Sequence, residues 1–132
     1  AQDDTFTGNS DNNSLVGGAG NDTFYIIDVN NGNDVIEGDT SAGNVGLRDT
    51  IDYSAISNTY YLDANLANNT LVIKQTSDST SVDSDTVNNI EDIVGTAGKD
   101  IIRGNASKNI LSGAEGTDTI YGEAGNDIFV FE

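Results

Sequence analysis

The 132-residue sequence predicts an all-β solenoid of short, stacked strands. Three observations carry that expectation. Glycines recur every nine residues towards the C-terminus, an Asp or Asn occupies the sixth position of each unit, and a large apolar residue occupies the eighth.

The N-terminal repeats cover residues 1–25. Asp4 and Phe6 fit the tail of a preceding unit, so the chain begins inside a repeat and reads as a segment of a longer protein. GNSDNNSLV (8–16) and GGAGNDTFY (17–25) follow, with Asn13 and Asp22 at position six and Leu15 and Phe24 at position eight.

Residues 26–94 break the strict period. Echoes remain in Asp34-Val35-Ile36, Asp49-Thr50-Ile51 and Asp85-Thr86-Val87, each an Asp followed by two β-prone residues. Insertions rich in Gly, Ser and Asn separate them. Tyr60–Leu66 alternates as a half-buried strand would, with Tyr60, Leu62, Ala64 and Leu66 on one face. Thr70–Lys74 is a further strand. Ser77–Asp85 is polar and acidic and reads as a surface loop. Asn88–Gly95 leads back into phase, with Ile93 nine residues before Ile102. One continuous solenoid with enlarged, irregular middle turns is the favoured reading of residues 1–132. Two small solenoids joined by an acidic linker are the alternative.

The C-terminal repeats cover residues 95–130: GTAGKDIIR, GNASKNILS, GAEGTDTIY and GEAGNDIFV. Position six holds Asp100, Asn109, Asp118 and Asp127, and position eight holds Ile102, Leu111, Ile120 and Phe129. Glycines at positions one, two and four permit a tight turn with carbonyls directed inward. These are Gly17, Gly18 and Gly20 in the first array, and Gly95, Gly98, Gly104, Gly113, Gly116, Gly122 and Gly125 in the second. The position-six carboxylate adds to those carbonyls the all-oxygen environment that calcium prefers. Asp34, the clearest echo, joins the candidate ligands. Asp28-Val-Asn-Asn-Gly superficially suggests an EF-hand loop, but its glycine comes one position early and the closing Glu is missing.

Composition narrows the function. Twenty-two acidic residues against five basic ones give a net charge of −17. Phosphate-rich nucleic acid and anionic membrane surfaces are therefore poor partners. No apolar run is long enough for a membrane span. The sequence has no Cys, His, Met, Trp or Pro, which removes disulfides, thiolate metals and His-based acid–base chemistry. Leu, Ile, Val and Phe make up 32 of 132 residues, a thin core that must fold against strong self-repulsion. Carboxylate pairs such as Asp83/Asp85 and Glu91/Asp92 are not singled out from the general acidity, so no enzyme activity is expected.

The pattern resembles the RTX (repeats-in-toxin, hemolysin-type) nonapeptide G-G-x-G-x-D-x-U-x. The middle and C-terminal part is similar to the C-terminal β-roll of serralysin-type secreted proteases. The resemblance implies a parallel β-roll, a right-handed solenoid with two nonapeptides per turn and calcium between loops 18 residues apart. It implies pairings of Asp100 with Asp118, Asn109 with Asp127, and Asp4 with Asp22. The Asn109 site carries one carboxylate and is expected to bind more weakly. It also implies a bacterial-type extracellular setting, secreted or at the cell surface, with type I export of an unfolded chain and a secretion signal beyond the repeats. About four to six calcium ions would bring the net charge to roughly −9 to −5. The expected role is a calcium-dependent folding module attached to the domains of a parent protein. The competing role is a segment of an adhesin, ice-binding or surface-layer protein with a glycan or surface ligand; Tyr53, Tyr60, Tyr61 and Tyr121 could line a sugar-binding face, but core or edge packing is the favoured reading for them.

Overall fold

The computed structural model describes residues 2–40 and 47–131. Part of the Gly-, Ser- and Asn-rich insertion after Asp34, residues 41–46, lies outside the described residues. Among the described residues, thirteen short strands form two sheets.

Strands β1 (Thr5–Thr7), β3 (Thr23–Tyr25), β5 (Thr50–Asp52), β9 (Asp92–Val94), β11 (Ile110–Ser112) and β13 (Ile128–Val130) make the first sheet, in that spatial order. All its pairings are parallel. The second sheet runs β12-β10-β6-β7-β8-β4-β2. Its members are β2 (Ser14–Gly18), β4 (Val35–Asp39), β6 (Tyr60–Asn65), β7 (Thr70–Gln75), β8 (Ser81–Asn88), β10 (Ile101–Arg103) and β12 (Thr119–Tyr121). Within each array the chain alternates between the sheets, one strand to each, and the result is a parallel β-roll.

A three-residue strand holds too few hydrogen bonds to be stable alone, so stacking supplies the order. The eighth position lies within its strand and faces inward except in the last unit, where Phe129 is exposed. Phe24, Ile36, Ile51, Val87, Ile93, Ile102 and Leu111 are at most 1 % exposed. In successive strands they sit directly over one another, as Ile51 over Phe24 and Leu111 over Ile93. Phe6 stacks on Phe24 with ring centroids 5.0 Å apart. Each buried Ile, Leu or Phe contributes about 1.5–3 kcal/mol.

The middle of the chain departs from the roll in one place. In the first sheet β5 pairs directly with β9, whereas in the second the meander β6-β7-β8 occupies the space between β4 and β10. Among the described strands β7 alone runs against its neighbours. The second sheet is thus two strand spacings wider there, roughly 10 Å. Tyr53, Ile56, Leu62, Leu66, Leu71 and Ile73 are buried in the same core cluster as the position-eight residues.

Tyr60–Leu66 and Thr70–Lys74 match β6 with its closing 3-10 turn (Leu66–Asn68), and β7. The expected surface loop at Ser77–Asp85 is corrected: from Ser81 onward it is β8, with Asp83 and Asp85 buried. The reason is a reversed pattern. Ser84 and Thr86 face out while acids face in, so an apolar alternation never forms.

Candidate metal centres

Each strand is entered through the residue that precedes it, and these residues stack into two ladders along the roll. On the side leading into the first sheet they are Asp4, Asp22, Asp49, Glu91, Asn109 and Asp127. Asp4 N–H donates to Asp22 Oδ1, Asp22 N–H to Asp49 Oδ1, and Asn109 N–H to Asp127 Oδ1, at 2.8–2.9 Å. Asp49 N–H donates to Glu91 Oε2 at 3.0 Å. On the opposite side Asn13 N–H donates to Asp34 Oδ1, Asp34 N–H to Asp85 Oδ1, and Asp100 N–H to Asp118 Oδ1. Beyond the meander Leu62 holds the equivalent position, and its N–H donates to Asp100 Oδ1 at 2.7 Å.

The structure therefore brings together the three pairs read from the repeat: Asp4 with Asp22, Asp100 with Asp118, and Asn109 with Asp127. It also brings Asp34 into contact with Asn13 and Asp85. Asp49, Asp85 and Glu91 are ladder members outside the regular repeat units. Asp49 and Asp85 each stand directly before a β-prone pair, and Glu91 stands nine residues before Asp100.

The glycines act here through space more than through torsion. A Cβ on Gly17, Gly95, Gly104, Gly113 or Gly122 would stand 2.2–2.3 Å from an oxygen of the position-six side chain. At position four the obstacle is backbone of the neighbouring rung. A Cβ on Gly20, Gly98, Gly116 or Gly125 would lie 1.9–2.4 Å from a carbonyl oxygen of Gln2, Tyr60, Gly98 or Ser107. Positive φ is a further demand, at position two in Gly18 (+97°), Ala114 (+59°) and Glu123 (+63°), and at position four in Gly116 (+127°) and Gly125 (+133°).

Burial makes these carboxylates reluctant anions. It pushes Asp49, Asp85 and Asp100 up to about 6 and Glu91 up to about 7. Asp34 and Asp92 are raised by the same desolvation. The Oδ2 atoms of Asp22 and Asp49 are buried without a hydrogen-bond partner in the protein. Orphaned, dehydrated carboxylate oxygens beside inward carbonyls are the donor set of a hard cation with an all-oxygen shell, and calcium fits it. Among the described residues no group of three or more acidic side chains can hold a metal alone, so carbonyls must complete the shell. The residues that would hold it are the ladder acids with the turn carbonyls above and below. The bound ion would supply the positive charge that the buried oxygens lack.

Two rungs solve the problem without a metal. Asn109 Nδ2 donates to the Glu91 carbonyl at 2.7 Å, so this amide serves as a donor and not only as a weak ligand. Arg48 forms an ion pair with Asp92, its Nε donating to Asp92 Oδ2 at 3.0 Å, and it also donates to the Lys108 carbonyl at 2.9 Å. The guanidinium thereby ties the start of β9 to the turn that precedes β11.

No curated protein sequence matches the chain. The family model of the RTX calcium-binding nonapeptide repeat matches in four copies, at residues 1–25, 26–42, 85–120 and 94–129. These stretches cover about two thirds of the sequence and every ladder acid except Asp49, and the repeats of that family bind calcium. The chain belongs to the RTX calcium-binding nonapeptide repeat family.

Proposed function

We propose that this chain is a calcium-gated folding module of a larger secreted protein. The observation that supports the reading is the pair of acid ladders along the roll, in which Asp22, Asp34, Asp49, Asp85 and Asp100 are buried and oxygens of Asp22 and Asp49 are orphaned. Without a counter-ion those acids oppose compaction, and with calcium their binding free energy becomes folding free energy. Calcium is scarce inside cells and abundant outside, so such a chain stays open until exported. Type I secretion, which passes unfolded chains, fits that order of events. RTX repeats are structural calcium-binding modules of typically secreted proteins, and catalysis belongs to the parent's other domains in this reading.

The test is far-ultraviolet circular dichroism of the metal-free chain at pH 7.5. The expected spectrum is disordered, turning to β on adding millimolar calcium but not magnesium, which holds its waters and demands a smaller octahedral shell. A metal-free sample that keeps its β spectrum and a cooperative melt overturns the reading.

A second reading, recognition of a glycan, draws on the outer face of the second sheet. Lys74 Nζ lies 6.0 Å from the Tyr61 ring centre and the Arg103 guanidinium 5.0 Å from that of Tyr121. Blank glycan arrays would leave the scaffold role alone. Binding abolished by Tyr61→Ala or Tyr121→Ala would establish recognition.

A further inference from the structure

The irregular middle of the chain gathers oxygen donors at a place the nonapeptide pattern does not reach. On the side of Asp34 the next rung has no nonapeptide turn, because β8 runs straight from Ser81 into Asp85. Asp83 lies on the inner face of that strand, two residues before Asp85. Ser84 N–H donates to Asn33 Oδ1 at 3.2 Å, which sets Asp83 against the turn that holds Asn31.

Asn31, Asp34, Asp83 and Asp85 are 5 %, 1 %, 4 % and 2 % exposed. Asn31 Nδ2 donates to Asp34 Oδ2 at 3.3 Å, and the Tyr53 hydroxyl donates to Asp85 Oδ2 at 2.9 Å. Two oxygens are left over. Asp83 Oδ2 and Asn31 Oδ1 are buried and have no hydrogen-bond partner in the protein. The charges acting on Asp83 are those of Asp85 and Asp34, both negative. The ion pairs among the described residues are at Asp63 and Asp92, away from this cluster. A buried carboxylate with only like-charged neighbours is strongly unfavourable unless a cation joins it.

We propose that Asn31, Asp34, Asp83 and Asp85 form a further calcium site, in which the Asp83 carboxylate replaces the backbone carbonyls of the missing turn. The site rests on the calcium-module reading above and extends it to a residue outside the nonapeptide pattern. Asp83 falls between the stretches 26–42 and 85–120 that match the family model. The carboxylates alone do not make a metal cage, so the neutral amide oxygen of Asn31 is a necessary donor. All donors are oxygen and they come from separate elements, which suits the large, flexible shell of calcium better than the strict octahedron of magnesium.

The experiment is calcium stoichiometry by equilibrium dialysis, with affinities by calorimetry, on the full chain. The wild type is compared with Asp83→Asn, Asn31→Ala and, as a control in the repeat array, Asp118→Ala. Asp83→Asn should bind one ion fewer per chain and still fold in calcium. Asn31→Ala should weaken one site at least tenfold. Full stoichiometry and affinity in Asp83→Asn would mean that a proton neutralises Asp83, and would overturn the proposal. If that variant fails to fold, an unchanged titration of Asn31→Ala overturns it equally. A wild type that binds no calcium, with Asp118→Ala indistinguishable from it, would instead refute the module reading itself.

Discussion

Acid should do part of calcium's work. Asp49 is fully buried and its pKa is raised to about 6 by desolvation. Unfolded, the same group titrates near 4, and each unit of difference is about 1.4 kcal/mol, so keeping Asp49 ionised in the metal-free roll costs about 3 kcal/mol. Asp83 and Glu91 are held at about 7, and Asp85 and Asp100 at about 6, again by desolvation first. These groups act in the same direction, so together they weigh heavily against the small net stability of an ordinary domain. The sign follows from proton binding. Between about pH 4 and 7 the folded chain holds protons that the unfolded chain has released, so lowering the pH through this window favours folding. The calcium-loaded roll should behave oppositely, since protons compete with the ion for the same oxygens. The assay is thermal unfolding followed by circular dichroism from pH 7.5 to 4.5. The protein should be dialysed free of metal, because chelators release calcium as they protonate. The metal-free chain should gain β signal and melting temperature as the pH falls, while the calcium form loses stability. A metal-free chain whose stability is flat or declines between pH 7.5 and 5 would refute the reasoning.

Four further substitutions probe separate parts of the structure. Asp118→Ala removes the acceptor of the Asp100 N–H and a candidate ligand, and should lower calcium affinity about tenfold or more in calorimetry. Asn109→Asp should not improve the roll, because it exchanges the donor to the Glu91 carbonyl for a second acceptor. Stability in calcium should fall by about 1–3 kcal/mol, as read by denaturant titration at pH 7.5, where the new carboxylate is ionised. Ile93→Ala, at a position 1 % exposed between Ile51 and Leu111, should cost about 2–5 kcal/mol in calcium without changing stoichiometry. Arg48→Met strips the cation from Asp92, which is 8 % exposed, and should cost about 1–3 kcal/mol by thermal melt.

The repeat units were legible because their information is local. Nine-residue glycine spacing, an acid at position six and an apolar residue at position eight are properties of one turn and its short strand. Stacking merely repeats them, so Asp100 meets Asp118 at a fixed separation of 18. The Arg48 clamp had no such signal, since its carbonyl partner lies 60 residues away. The ladder also continues where the period fails. Its rungs are 27, 42 and 51 residues apart at Asp22–Asp49, Asp49–Glu91 and Asp34–Asp85. A parallel rung needs only strand spacing and a matching hydrogen-bond register, and an insertion of any length that returns to the edge satisfies both. β8 shows the limit of pattern reading. Its inward positions include Asp83 and Asp85, and sequence hydropathy counts a buried acid as a surface residue. Whether an acid faces water or a dry interior depends on the strands folded against it, here β4 and β7, so only the assembled roll could place Asp83 beside Asn31 and Asp34.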